Sequence, residues 1–430
     1  MSTAPVEFLP QLNTLLCQRC KEVPAVLVSR KEDFCAKCFI WFMRGKQRKQ
    51  MLDERYKVKY GAIADRLGVQ RVLLPLSFGV SSLVLFDMIA SLLQEQSAMH
   101  KGKHGFELIV VHLKDEGISK TEDFRSLSSK YSPVEIKYIE IDLALYPVES
   151  RMKLAVSPEF DVIAKRVNSA DSVAELVEKI SSRSLKADLL GIVYEEIFNA
   201  LAAKEKCQTI IYGHSMTRLA NEVIALTVKG RGLKIHEAVA DRTIVRDNAE
   251  IHIIFPLRDI LFAEVKAVLK LSDGLSDYAK LPVALGRKLV KNMTVHDLTT
   301  QYFDGLDATG YASTASTVVK TAEKLGGPKS EVTDLCRICG ASIHHDPRTW
   351  LRNITVNTAA PLDTEEEKAY AEEYLAQIAE KVTGHDLAAC YGCTVTMAGA
   401  GESFVWPVRA SKDEILEEFV LSDESEDDEQ

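Results

Sequence analysis

Residues 72–93, VLLPLSFGVSSLVLFDMIASLL, constrain the fold of this chain more than any other stretch. Val72 to Leu76 is an apolar run of strand length. Ser77-Phe78-Gly79-Val80-Ser81-Ser82 is a turn made mostly of small residues. From Leu83 onward, Leu85, Phe86, Ile89, Leu92 and Leu93 outline a helix that is apolar nearly all round and therefore buried. Strand, small-residue turn and helix together form a phosphate cradle, because the turn N–H groups and the free N–H groups of the helix start converge where an anion is favoured. Taken alone, the S-x-G-x-S-S turn also fits an ordinary strand–helix connection. A membrane span fits less well, since Pro75, Gly79, four serines and Asp87 interrupt the stretch.

The neighbouring sequence repeats the same pattern. Phe106 to Leu113, Glu135 to Asp142, Cys207 to His214 and Glu250 to Leu257 read as further strands. Helices are expected over Ser172 to Lys206, broken near Ser181 to Ser184, and over Arg218 to Val228, Ile260 to Leu271 and Tyr311 to Leu325. Gly326-Gly327-Pro328 ends the last of these. Strands alternating with helices predict an α/β fold: a mostly parallel sheet with helices on both faces. Ligands of such sheets sit beyond the carboxyl ends of the strands, where Ser77 to Ser82 and Gly213-His214 both fall.

Eight of the nine cysteines come in Cys-x-x-Cys pairs. Cys17, Cys20, Cys35 and Cys38 leave fourteen residues between pairs, and Cys336, Cys339, Cys390 and Cys393 leave fifty. The start, MSTAPVEFLP, lacks the basic and continuous apolar regions of a signal peptide, so a cytosolic, thiol-reducing setting is expected. Paired thiolates there suit a tetrahedral zinc ion, which predicts two zinc modules. The long second loop is no obstacle, since closure entropy grows slowly with length. His344 and His345 are expected at the surface, and Cys207 as an inert core thiol.

The formal net charge is −9, but Asp413 to Gln430 carries ten acidic residues and no basic one, leaving the body near +1. That tail is too polar to pack and is expected to be disordered. Arg30 to Lys59 holds ten Lys or Arg against four Asp or Glu, interleaved with Trp41, Phe42, Tyr56 and, just beyond, Tyr60. Basic side chains attract phosphate and aromatic rings stack on unpaired bases, so Arg44, Lys46, Arg48 and Lys49 are candidate RNA contacts. The competing reading is a solvated linker helix with its aromatics in the core. The expected organisation is a zinc module over residues 1–40, whose first fourteen residues form a loose arm, and a basic linker helix over 41–69. An α/β domain over 70–330, a second zinc module with an inserted helix over 331–400 and an acidic tail over 401–430 follow.

At this point the motifs resemble a known family. Ser77 to Ser82 resembles the S-G-G-x-[DS]-S loop of N-type ATP pyrophosphatases, the PP-loop superfamily. Tyr212-Gly213-His214-Ser215 resembles T-G-H-N in that superfamily. Lys229-Gly230-Arg231-Gly232 resembles its R-G or G-R-G segment, and Phe255-Pro256-Leu257-Arg258-Asp259 its R-P-L-R-[DE]. Their order, together with four Cys-x-x-Cys pairs, is similar to the cytoplasmic tRNA 2-thiolation protein 2 family over roughly residues 15–400.

The resemblance implies a heterodimer with a related catalytic subunit that thiolates the wobble uridine of tRNA. It also implies sulfur supplied by a thiocarboxylated ubiquitin-like carrier, and no membrane. Any ATP would sit at Ser77, Gly79, Ser81 and Ser82. The chain departs from the catalytic pattern, however. Ala187-Asp188-Leu189-Leu190-Gly191 stands where Cys-x-x-Cys-Gly is expected. Ser215, Met216, Thr217 and Arg218 supply no carboxylate after the histidine, Phe78 replaces the first loop glycine, and no cysteine follows the Arg258 motif until Cys336. No catalytic residue is therefore assigned, and the loop is read as degenerate. The expectation is a non-catalytic subunit, with a stand-alone ATP-dependent ligase or pyrophosphatase as the alternative and a zinc scaffold for a non-RNA partner as a third reading.

Overall fold

Arg71–Pro75 shows why the sheet is buried on both faces. Val72, Leu73 and Leu74 are each at most 1% exposed, and alternation along the strand sends Val72 and Leu74 to one side and Leu73 to the other. This computed structural model describes residues 5–10, 14–114, 119–143, 152–154, 173–178, 180, 182–246, 249–280, 293–345, 362–382, 388–398 and 407–409. They divide into two units. The first takes in Met1–Leu143, Leu190–Val228 and Gly232–Gly327, and the second Ala144–Leu189, Lys229–Arg231 and Pro328–Gln430.

The first unit opens with a three-stranded antiparallel sheet of β1 (Val6–Phe8), β2 (Leu27–Ser29) and β3 (Glu32–Phe34). Within the expected loose arm, Val6–Phe8 is corrected to a strand, because Val6 pairs with Ser29 and Phe8 with Leu27. A helix over Ala36–Lys49 follows. The main sheet then uses β4 (Arg71–Pro75), β5 (Glu107–Lys114), β6 (Ile136–Asp142), β7 (Met152–Leu154) excluded, β8 (Thr209–Ile211), β9 (Arg242–Arg246) and β10 (Ala249–Ile254). Its order is β6-β5-β4-β8-β10-β9, parallel except for β9, which runs antiparallel to β10.

Helix Val80–Met99 fills one face, with Val72, Leu74, Phe86 and Val265 in one apolar cluster. On the other face Leu73, Ile109, Ile210 and Leu219 share a second cluster. The helices over Met216–Val228, Phe262–Leu271 and Ser313–Leu325 confirm the sequence expectation. The expected break near Ser181 also holds, between Val173–Glu178 and Arg183–Lys204.

Among the elements that escaped sequence reading, two belong to the α/β body. Edge strand β9, RTIVR, is too polar to stand out, yet its alternation leaves Thr243 and Val245 exposed. Helix Val295–Thr309 is announced by a capping box, in which the Thr294 hydroxyl accepts from the Asp297 N–H and the Asp297 carboxylate accepts from the Thr294 N–H.

In the second unit β7 pairs with Pro407–Arg409, and helices cover Glu365–Val382 and Tyr391–Ala398. His344 is corrected from surface to buried, with Nδ1 2.9 Å from the Ser330 carbonyl oxygen, while His345 is exposed. Of the expected 401–430 tail, Pro407–Arg409 is instead the strand paired with β7, and its acidic part, Asp413 to Gln430, lies outside the described residues. Among the described residues no helix is long and apolar enough to cross a membrane.

Candidate metal centres and phosphate loop

The turn over residues 77–82 joins β4 to the start of helix Val80–Met99, as the small residues require. Its polar groups are turned on each other. Gly79 N–H donates to Ser77 Oγ at 3.3 Å, Ser82 Oγ donates to the Gly79 carbonyl at 3.0 Å, and the Ser77 and Ser82 hydroxyls lie 3.1 Å apart. Phe78 adopts φ +56°, the left-handed conformation that a glycine would take without strain. That conformation costs a side-chain-bearing residue about 1–3 kcal/mol. Burying the ring, edge-on to His112 with centroids 5.1 Å apart, offsets a similar amount of about 1.5–3 kcal/mol. The ring thus points into the core, and the Lys280 N–H donates to the Phe78 carbonyl at 2.7 Å.

The second motif abuts the first. A Cβ on Gly213 would fall 2.9 Å from Ser82 Cα, so only glycine lets the loop after β8 reach the helix start. His214 stacks on Phe255 at 5.5 Å, and burial, reinforced by Arg218, pushes its pKa down to about 4. It is a neutral imidazole at neutral pH. Thr217 Oγ1 accepts from the Phe262 N–H at 3.0 Å. Arg218 lies 3.8 Å from Glu222, whose carboxylate is 2.8 Å from His296 Nε2. Burial would raise the Glu222 pKa, but His296 and Arg218 outweigh it and bring it down to about 2. Arg258 of the third motif is spent on Asp241 and Glu323.

The first four-cysteine set closes as its spacing suggests. The sulfurs of Cys17, Cys20, Cys35 and Cys38 all lie within 4.8 Å of one another, and Cys20 and Cys35 Sγ are 4.0 Å apart. Cys35 stands at the N-cap position of helix Ala36–Lys49, which places Cys38 in its first turn. Burial would raise the Cys17 pKa, but N–H donors from Cys20, Cys35 and Arg19 outweigh it and lower it to about 6. The second set, Cys336, Cys339, Cys390 and Cys393, is equally tight, with Cys339 and Cys390 Sγ 3.7 Å apart. All eight are free thiols. Four thiolates at about 2.3 Å around one tetrahedral ion stand about 3.8 Å apart, so both sets fit a single metal ion. An iron–sulfur cluster, with each thiolate on a different iron, would spread them further. Zinc at either set would supply a cross-link between loops and no redox chemistry.

The second set has a neighbour that sequence reading did not connect to it. The Lys229-Gly230-Arg231 segment lies against the Cys390-Tyr391-Gly392-Cys393 knuckle. A Cβ on Gly230, at φ +67°, would meet the Tyr391 ring at 2.4 Å, and a Cβ on Gly392 would meet Arg231 Cγ at 2.3 Å. Burial works against the Arg231 charge, but Cys393, Asp188, Cys339 and Cys390 outweigh it and hold the guanidinium pKa above its ordinary value. Two glycines in facing motifs were the available signal.

Cys207 is 2% exposed, and burial pushes its thiol up to about 12. Of the basic residues in the helix Ala36–Lys49, Arg44 pairs with Asp87 at 3.4 Å and donates to Ser91 Oγ at 2.9 Å. Arg48 pairs with Glu95 at 2.5 Å. Lys46 donates to the Asp259 carbonyl at 3.3 Å and stands over the Phe42 ring, while Lys49 is exposed.

Comparison with known proteins points to one family. A family model described as cytoplasmic tRNA 2-thiolation protein 2 matches residues 294–395. A curated relative of that name from Scheffersomyces stipitis is 47% identical over 98% of this chain and 99% of its own length. One from Debaryomyces hansenii is 46% identical over 98% and 99%. Among solved structures, the U34-tRNA thiolase NcsA from Methanococcus maripaludis with its 4Fe-4S cluster aligns with a TM-score of 0.51 and 17% identity. The alignment covers 82% of this chain and 99% of that one, a likeness of fold alone.

Proposed function

Since the chain belongs to the cytoplasmic tRNA 2-thiolation protein 2 family, we propose that it is the non-catalytic subunit of a cytosolic complex that thiolates the tRNA wobble uridine. In this reading it pairs with a related catalytic subunit, which takes sulfur from a thiocarboxylated ubiquitin-like carrier. The observation that carries the non-catalytic role is the fate of the sulfurs. Eight of the nine cysteines are gathered into two four-thiol sets, and the ninth, Cys207, is buried with its thiol pKa raised. Sulfur transfer needs an accessible thiolate or a cluster, and adenylation needs carboxylate-held Mg²⁺ near the phosphate. Ser215, Met216, Thr217 and Arg218 follow His214 instead, and Glu222 is committed to His296.

Each cysteine set holds one zinc ion and stiffens the surface offered to tRNA and partner. Ser77, Gly79, Ser81 and Ser82 are a relic of a nucleotide loop. Arg44, Lys46, Arg48 and Lys49 contact RNA phosphates, with Lys49 the most accessible and the two arginines exchanging Glu95 or Asp87 for phosphate. Each phosphate contact contributes nearly one unit to the salt slope of binding.

Reconstitution with the catalytic subunit and tRNA tests the reading. The isolated chain should neither thiolate tRNA nor cleave ATP in a tRNA-dependent way, and Cys207→Ser should leave thiolation by the complex intact. Activity of the isolated chain, or loss of thiolation in a folded Cys207→Ser complex, would establish the stand-alone enzyme instead.

A further inference from the structure

The Lys229–Arg231 segment is built onto the second cysteine set by both shape and charge. Arg231 crosses Gly392 so closely that no side chain fits there, and Gly230 takes the Tyr391 ring in the same way. The Arg231 side chain is only 8% exposed. Its Nη2 donates to Thr396 Oγ1 at 3.3 Å and lies 3.8 Å from Asp188 Oδ2, and Thr396 in turn donates to the Gly392 carbonyl at 2.7 Å. Arg231 Nε is buried without a hydrogen-bond partner among the described residues. Lys229 pairs with the other oxygen of Asp188, both groups nearly buried.

Four thiolates around a divalent ion leave two negative charges. Placing that dianion in a desolvated pocket is costly unless a cation sits beside it. The chain supplies one from a segment more than a hundred residues away in sequence, and spends Asp188 on orienting it. Groups next to metal ligands commonly tune affinity in this way.

We infer that Arg231 is a positioning residue of the second metal site, its guanidinium offsetting the four-thiolate charge while Asp188 and Thr396 hold it in place. The inference rests on the metal reading above. It makes the second site dependent on a third stretch of chain. At the first site, by contrast, Arg19 pairs with the half-exposed Glu32.

The test uses the full chain loaded with zinc and challenged with a chelator, while a thiol-alkylating reagent marks each cysteine as it is released. Peptide mass spectrometry reads the rate residue by residue. Arg231→Met should speed alkylation of Cys336, Cys339, Cys390 and Cys393 about 10–100-fold, the usual cost of losing a group beside a metal ligand. Cys17, Cys20, Cys35 and Cys38 should be unchanged. Arg231→Lys, which keeps the charge but disturbs the packing as much as methionine does, should restore most of the protection.

Unaltered rates in Arg231→Met overturn the inference, as does equal acceleration in both variants, which would assign Arg231 a packing role. If Arg231→Met does not accumulate folded, Arg231→Lys decides alone: protection near that of the unaltered chain supports the charge role, and fast release overturns it. An unaltered chain with no metal at the second set sinks the metal reading itself, which elemental analysis distinguishes from the outcomes above.

Discussion

The set of Cys17, Cys20, Cys35 and Cys38 closes within 22 residues of chain, whereas Cys336, Cys339, Cys390 and Cys393 span 58 and adjoin Arg231, which is paired with Asp188. Donors and tightness are alike. The surroundings are not. Around the first set the charged pair Arg19–Glu32, at 2.7 Å, is 44% and 41% exposed. Beside the second, Arg231 and Asp188 are 8% and 10% exposed. The same set of donors can therefore be held by a local turn or by long-range packing, and only in the second case is the flanking ion pair withdrawn from water, where it has weight.

The largest effects should come from the ligands themselves. Cys17→Ser and Cys336→Ser should each lower the metal content from two ions to one, because structural zinc carries about 10–16 kcal/mol of apparent binding energy. A Cys336→Ser chain still holding two ions would mean that this set is not the second site.

Next comes the anchorage of the first module. Glu264 is fully buried and accepts from Arg30 Nε at 2.5 Å, Ser29 Oγ at 3.3 Å and the Leu261 N–H at 2.8 Å. Glu264→Ala should cost about 2–3 kcal/mol in denaturant unfolding, less than a wholly buried pair because Arg30 is partly exposed. A cost below about 0.5 kcal/mol would show that the module does not lean on this contact.

The knuckle positions then separate the two sets. Gly392→Ala must push Arg231 aside and should destabilise by about 1–3 kcal/mol. Lys37→Ala, at an exposed position of the first set, should stay within about 0.5 kcal/mol. Similar values for the two would erase the distinction between the two sets.

Acid titration would blur the contrast unless the share of the α/β body is known. The folded state holds His214 neutral down to about 4, whereas an ordinary histidine takes up a proton at 6.5. Between these values the unfolded chain binds more protons, so stability from this residue is lost as pH falls from 6.5 to about 4. His214→Phe should remove up to about 1.4 kcal/mol per pH unit of that slope in zinc-saturated unfolding titrations. An unchanged slope would mean that the imidazole protonates freely in the folded state. Smallest of all, Arg19→Met should cost under about 1 kcal/mol and leave the first set's metal release unaltered.

Much of this was legible beforehand because it is local. Residues 72–93 show their strand, turn and helix through apolar patterning, and the first cysteine set shows itself through two tight knuckles near each other. The unreadable parts have non-local causes. Val6–Phe8 is a strand only because Leu27–Ser29 is there to pair with it. His344 is buried with its imidazole against the carbonyls of Ser330 and Glu331, which its immediate neighbours do not announce. Edge strand β9 is paired on one side and carries too little apolar sequence to be noticed.

The amino-acid sequence by itself determined the α/β sheet, the order of its motifs and the eight paired cysteines, since each depends on residues close together along the chain. Only the tertiary structure decided that the Phe78 ring turns inward, that Gly213 meets Ser82 and that Arg231 is laid across Gly392 beside the second cysteine set. Those outcomes depend on which distant surfaces exclude water together, and burial is a property that no short stretch of chain possesses alone.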